Sequence, residues 1–412
     1  MPRRFLPSRL EGIEDIENYQ LGGFHPVSIG DCYAQQRYRV VHKLGYGGSS
    51  TVWLARDQTG PGRLVTLKVM RADASSGDAL VIPEMLRAAL PASVDIQTVD
   101  DHFVVQGPNG SHLFMVSPFA GPSILAMSDC PGRTSGSRRL RADLARKVAK
   151  QTATAVYHMH RAGVVHGDLT TSNILFALSP DVLKWSDADL YASLGEPETE
   201  KVRTRDGSPR PPSAPAELVA PIDNSSLTNA SFLQERVVLC DFGQSYTAAS
   251  PPQGYKPATV FNYLSPEARF EARAGLEADV WALGCAVFEM RAGFPLFESF
   301  FGSDEDILTQ TVEMLGRLPE PWWGAFVEEQ ARAGVWLKGA QSGIRERLRE
   351  IGAQDDAPAV GEGKMIEPFG VRLREGEVEL LGDLLEKMLK YRPEERIKID
   401  EVIRHPWFDF TD

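Results

Sequence analysis

Cysteine is scarce in this chain: Cys32, Cys130, Cys240 and Cys285 are scattered through 412 residues without the short spacings of a metal knuckle or a redox pair. Buried or free thiols are therefore expected, and no metal or redox chemistry on sulfur. Long apolar runs are missing as well. The longest, residues 280–288, is bracketed by Asp279 and Glu289 and falls well short of the roughly 20 residues of a membrane span, so no membrane segment is expected. Positive charge is in deficit, with 44 Lys and Arg against 56 Asp and Glu for a net charge of −12. That balance leaves no broad basic footprint for nucleic acid and suits a basic protein partner. The opening Met1-Pro2-Arg3-Arg4-Phe5-Leu6 has no apolar signal core behind it, and the acidic residues of 11–17 argue against a long transit peptide. Residence in the cytosol or nucleus is the expectation.

What is present is an ordinary globular composition, 42% hydrophobic and 24% charged, on a chain long enough for two lobes. Residues 38–70 alternate strand, glycine-rich turn, strand, turn and strand, and residues 112–116 extend this β-rich part. Residues 80–90 read as a helix with Pro83 in its first turn, where proline is tolerated. After a loop around 131–137, residues 141–161 form a helix with Leu144, Val148, Ala155 and Met159 on one face. Residues 280–290 are apolar nearly all round, the mark of a helix buried on every side. The expected architecture is α+β and bilobal: a lead-in segment 1–37, a small β-rich lobe 38–120, and a large mainly helical lobe 121–412. Within the large lobe, residues 177–235 are Pro- and Ser-rich and too long for an ordinary loop, so they read as an insert. Ser186 with Asp189 three residues on predicts one helix start inside it.

Chemistry enters with Gly45-Tyr46-Gly47-Gly48-Ser49-Ser50-Thr51-Val52, a turn between strands whose backbone N–H groups can approach phosphates unobstructed. A lysine in the next strand, Lys68, precedes a helix carrying Glu84, a carboxylate able to position it. Further on, His166-Gly167-Asp168-Leu169-Thr170-Thr171-Ser172-Asn173 sets a carboxylate and an amide five residues apart. One can orient a hydroxyl nucleophile and the other can hold Mg²⁺. Cys240-Asp241-Phe242-Gly243 supplies a second metal-binding carboxylate, and Ser265-Pro266-Glu267 closes the next segment. Each fragment alone has a structural explanation; their joint order does not.

In that order, from Tyr38 to Phe408, the chain resembles the eukaryotic protein kinases. The resemblance implies that ATP is bound by Leu44, Gly45, Gly47, Ser50 and Val52, with Lys68 on the α- and β-phosphates and Glu84 as its ion-pair partner. It makes Asp168 the catalytic base, and Asn173 and Asp241 the Mg²⁺ ligands. Ser117 becomes the gatekeeper, with Pro118 and Ala120 as the adenine-facing hinge. Glu267 and Arg396 become a structural brace. Three features are similar to the SR-protein kinases: the loop ending in Trp53, the lead-in Gly22-Gly23-Phe24-His25-Pro26-Val27-Ser28-Ile29-Gly30-Asp31, and the position of the insert. The chain's end, His405-Pro406-Trp407-Phe408, is similar too. This implies a monomeric serine/threonine kinase acting on an Arg/Ser-rich or basic protein. Asp306 and Glu313, seven residues apart on one helix face, fall on that family's acidic docking positions.

Departures are also visible. Thr170 stands where most serine/threonine kinases carry lysine, Gly167 replaces the arginine before the catalytic Asp, and residues 259–265 lack the basic side chains of the SR-protein kinases. Slowed catalysis and activity without prior phosphorylation are the corresponding expectations. Two alternatives stay open: a catalytically weak or inactive scaffold, on the strength of Thr170, and a small-molecule phosphotransferase, on the His-Gly-Asp spelling.

Overall fold

The computed structural model describes residues 3–60, 62–91, 93–128, 137–298, 303–333, 343–353, 355 and 363–411. Cys130 and most of the loop expected at 131–137 lie outside these. The chain divides into two compact units: residues 1–85, 97–121 and 177–234 form the first, and residues 86–96, 122–176 and 235–412 the second. The expected insert thus groups with the small β-rich unit and not with the large lobe to which its place in the chain assigns it.

The first unit is built on a six-stranded antiparallel sheet: β1 (Cys32–Tyr33), β2 (Tyr38–Tyr46), β3 (Ser50–Asp57), β4 (Leu64–Met70), β5 (Asp101–Gly107) and β6 (Gly110–Pro118), in spatial order β1-β2-β3-β4-β6-β5. Period-two alternation sends Trp53, Ala55, Val65, Leu67, Val69, Phe114 and Val116 into one core, with Tyr38 and Val40. The opposite parity therefore carries Val52, Lys68 and Met115, which face one another across the sheet in register. On this second face Met70, Leu113 and Met115 pack against Leu80 of the helix Asp78–Ala89. That helix begins two residues before the sequence reading, so Pro83 sits in its interior.

The insert is folded. Its helix Asp187–Leu194 starts at Ser186, whose hydroxyl accepts from Asp189 N (3.2 Å) while the Asp189 carboxylate accepts from Ser186 N (3.1 Å), the expected capping box. A hairpin of Thr199–Lys201 with Glu217–Val219 follows. Leu218 and Ala214 from the insert join Phe5, Ile16, Tyr19 and Phe24 from the lead-in segment in a separate apolar cluster. Asp187 binds Arg39 of β2 and Arg56 of β3.

The second unit is mainly helical. Helix Ala142–Arg161 turns Leu144, Val148, Ala155 and Met159 inward as the periodicity requires. It packs on helix Leu276–Ala292, buried throughout from Asp279 onward. A buried charge network ties Arg291 to Glu377 (2.8 and 3.0 Å) and to Glu367 (3.2 Å), with Arg146 also on Glu377. No helix among the described residues is long and apolar enough to cross a membrane.

Candidate active site

In the first unit, Gly45 pairs with Val52 and Gly47 N donates to Ser50 O (2.8 Å), closing the β2–β3 turn. A Cβ added at Gly45, Gly47 or Gly48 would meet open space. The glycines are thus not demanded by internal packing, and what they leave bare is backbone facing outward. Leu44 is half-buried, just past the buried part of β2, which ends at Lys43. Two residues before Gly45, Lys43 is fully buried: its ammonium lies on the Glu14 carboxylate and on Val219 O (3.1 Å), and its own carbonyl accepts from Ile222 N (2.9 Å). Lead-in segment and insert together therefore hold the strand that feeds the glycine turn. Sequence reasoning missed this, because a lysine between His42 and Leu44 carries no sign of burial.

Lys68 is half-buried on β4, opposite Val52. Helix Asp78–Ala89 turns Leu80 and Ile82 inward and leaves Glu84 exposed. At the end of β6, Ser117 is half-buried opposite Thr66, and the Pro118 carbonyl accepts a 3.3 Å bond from Gln97. Ala120 is half-buried just beyond the strand.

In the second unit, Asp279 at the start of its helix clamps the loop that carries Asp168. One carboxylate oxygen accepts from His166 N (2.8 Å) and from His160, and the other accepts from Gly167 N (3.0 Å). Gly167 has φ +79°, and a Cβ there would lie 2.5 Å from Gln244 O. An arginine is sterically shut out of the position. Asn173 folds back so that its amide nitrogen donates to Asp168 O (2.8 Å) and to the Asp168 carboxylate (3.1 Å). This fixes the carboxylate and leaves the Asn173 amide oxygen to face other partners. Asn173 O accepts from Cys240 N (2.9 Å), and His166 bonds Cys240 O (3.2 Å), so Asp241 follows directly from a residue pinned to the same loop. Asp241 adopts φ 61°, uncommon for a non-glycine residue, and accepts from Gly243 N (3.2 Å).

Behind the loop, Thr171 Oγ1 bonds the Tyr263 hydroxyl (2.9 Å) and Glu289 (2.9 Å), and Tyr263 donates to Glu289. Burial pushes the Glu289 carboxyl up. Thr170 spends its hydroxyl on Ser172 (2.6 Å). Arg396 grips Glu267 through two bonds of 2.6 and 2.5 Å beneath Trp281, the expected brace. Elsewhere in the unit, helix Asp304–Leu315 buries Ile307, Leu308 and Val312, with Asp306 exposed and Glu313 half-buried.

Comparison with known proteins agrees with this arrangement. The family model for the protein kinase domain matches residues 38–211 and 227–408. The chain belongs to the protein kinase family. It is similar to the serine/threonine-protein kinase SRPK of Physarum polycephalum, 27% identical over 96% of this chain and 91% of the relative. It is also similar to protein kinase dsk1 of Schizosaccharomyces pombe, 25% identical over 96% of this chain and 84% of the relative. A shorter match, 31% identical over 40% of this chain and 23% of the relative, is with the serine/threonine-protein kinase SKY1 of Saccharomyces cerevisiae. The kinase is thus an ATP-dependent protein kinase with the bilobal kinase fold, similar to the SRPK-type relatives above, and proteins are its substrates.

Proposed function

We propose that this kinase phosphorylates serine in Arg/Ser-rich or otherwise basic proteins, with Asp168 as the base. The observation that carries the reading is the Asp168–Asn173 pair, whose two hydrogen bonds hold the carboxylate in one orientation on a loop clamped by Asp279. In the reaction the serine Oγ forms a bond to the γ-phosphorus, the bond to the β–γ bridging oxygen breaks with ADP leaving, and the serine proton passes to Asp168. Lys68 binds the α- and β-phosphates, the glycine turn covers them, and Leu44, Ser50 and Val52 border the nucleotide. Ser117, Pro118 and Ala120 take the adenine edge.

The donor set fits Mg²⁺. Asn173 offers an amide oxygen and Asp241 a carboxylate, hard oxygen ligands few enough to suit an ion that keeps waters and substrate phosphates in its shell. When bound, that ion neutralises charge on the transferring phosphates. Substrate docks on Asp306 and Glu313, one face of a helix anchored by Ile307, Leu308 and Val312. A scaffold without turnover is favoured only by Thr170, which presents no cation. A small-molecule phosphotransferase is opposed by the Glu267–Arg396 brace.

Assaying γ-labelled ATP against an Arg/Ser peptide, histone and a small metabolite panel separates these readings. Label in the Arg/Ser peptide above the others is the expected result; label in a metabolite alone, or in nothing, contradicts it. The Asp306→Ala/Glu313→Ala double variant is expected to raise KM for an arginine-rich protein at least about tenfold, two charge-assisted contacts of roughly 1.5–3 kcal/mol each being removed. An unchanged KM rules the docking helix out.

A further inference from the structure

In the first unit the lead-in segment starts along the outer edge of the insert's hairpin and then leaves it. Leu6 N donates to Arg203 O (2.9 Å) and Arg205 N to Arg4 O (2.9 Å), so residues 4–6 run antiparallel to residues 203–205 as the beginning of a third strand. The ladder stops there. Glu200 reaches out from strand Thr199–Lys201, and its carboxylate accepts from Ser8 Oγ (2.6 Å) and Arg9 N (2.7 Å), engaging the residues that would otherwise continue the pairing. Between strand and lead-in lies a cavity of about 460 Å³, within the range of pockets that hold ligands.

One wall of that cavity is backbone with nothing to bond. Val202 N donates to Ala216 O and Ala220 N to Glu198 O, which places residues 198, 200 and 202 in the hydrogen-bonded pairs of the hairpin. Thr199 and Lys201, between them, therefore turn their N–H and C=O groups to the opposite side, and among the described residues these groups have no partner. Side chains alternate along the same stretch. Val202 and Leu218 lie on one face, in the apolar cluster to which Leu10 and Ile16 also belong. Thr199, Lys201 and Arg203 lie on the other and are exposed. A short edge bearing lysine ordinarily needs no partner. This one fronts a preformed cavity and already accepts a strand at one end.

We infer that the cavity takes an extended acidic–apolar peptide of a partner protein, added antiparallel to residues 199–203 in the place that residues 8–10 leave open. Its main chain bonds the free groups of Thr199 and Lys201, as in strand addition to a sheet edge. Its side chains alternate with those of the edge: on the face of Val202 and Leu218 they meet Leu10 and Ile16 and are apolar, and beside Lys201 and Arg203 they are acidic. Neither cation has an ion pair among the described residues. Of the carboxylates at the cavity, Glu200 is engaged by Ser8 and Arg9, and Glu198 stands at its end, before the strand begins. The same charges turn away an arginine-rich substrate, so the site is separate from phosphoryl transfer and does not depend on Asp168.

The test uses the full chain and short fluorescent peptides that alternate glutamate with valine or leucine. Anisotropy is expected to show saturable binding, weakened at least about tenfold when lysine replaces glutamate, the scale of juxtaposed like charges. Methylating one of the two alternate sets of peptide amides should abolish binding with every side chain kept. On the protein, Lys201→Pro removes an outward N–H and no bond within the hairpin, at an edge position where proline is tolerated. It is expected to weaken binding roughly fivefold beyond Lys201→Ala, the scale of one backbone hydrogen bond. Amide exchange at Thr199 and Lys201 should slow when the peptide binds.

Absence of binding, equal affinity for the glutamate and lysine peptides, or tolerance of both methylated sets overturns the inference. The methylated peptides decide it even where Lys201→Pro impairs folding. Displacement by an Arg/Ser substrate peptide would make the cavity part of the substrate site, and a dimer of the chain dispersed by the acidic peptide would make its occupant a second copy; either result overturns the inference too.

Discussion

Gly167 has room for no side chain, and that fact accounts for the most visible departure in the catalytic loop. Its left-handed φ and the Gln244 carbonyl 2.5 Å from where a Cβ would sit mean that Gly167→Ala strains the loop between Asp279 and Asp168. A loss of about 1–3 kcal/mol in stability is expected by chemical denaturation, with kcat reduced because Asp168 moves. Stability equal to the parent would show that the loop can relax. That Asp168 and Asn173 belong together was legible in the sequence from their five residues of separation, and their two hydrogen bonds join them; their proposed roles follow from what phosphoryl transfer demands. The reason for glycine was not legible, because Gln244 lies 77 positions farther along the chain. The place of Glu84 in the order of motifs suggested an ion pair, whereas the face of the helix it occupies is set by Leu80 and Ile82 packing inward, which the motif order does not show.

At the scale of elements, the insert and the lead-in segment act as one piece. Glu14, Lys43 and the Val219 carbonyl form a buried polar cluster in which the Tyr19 hydroxyl also donates to Glu14 (2.5 Å). Removing one member leaves a buried charge unpaired, so Glu14→Leu is expected to destabilise the first unit by about 3–5 kcal/mol in thermal or denaturant unfolding. Glu14→Leu/Lys43→Met should recover most of that loss; a double variant as unstable as the single one would mean that the pair is not what matters.

His25 adds a pH dependence to the same unit. Burial, with His112 at a ring distance of 4.7 Å, pushes its pKa from 6.5 down to about 4. Between those values the unfolded chain binds the extra proton, so its contribution to stability is present above pH 6.5 and declines as the pH falls towards 4. His25→Leu should flatten the unfolding midpoint against pH over that range, and an unaltered slope would contradict it. The helix start at Ser186 could be read in advance because a capping box is local. The insert's attachment could not, since contacts such as Ser8 to Glu200 span 192 residues.

For the whole molecule, the two-lobed organisation followed from a shift in periodicity, from two to 3.6, that any local window reveals. What no window reveals is that the chain returns to its first unit after leaving it, so that residues 177–234 group with residues 1–85. The first unit carries the glycine turn and Lys68, and the second carries Asp168, Asn173 and Asp241. The account stands most directly on phosphate transfer from γ-labelled Mg-ATP to protein serine, measured for the parent chain and for Asp168→Ala. Incorporation by the parent and its loss by a factor of about 10² or more in Asp168→Ala is the predicted result; equal incorporation by the two proteins would contradict the assignment of the base and the mechanism built on it.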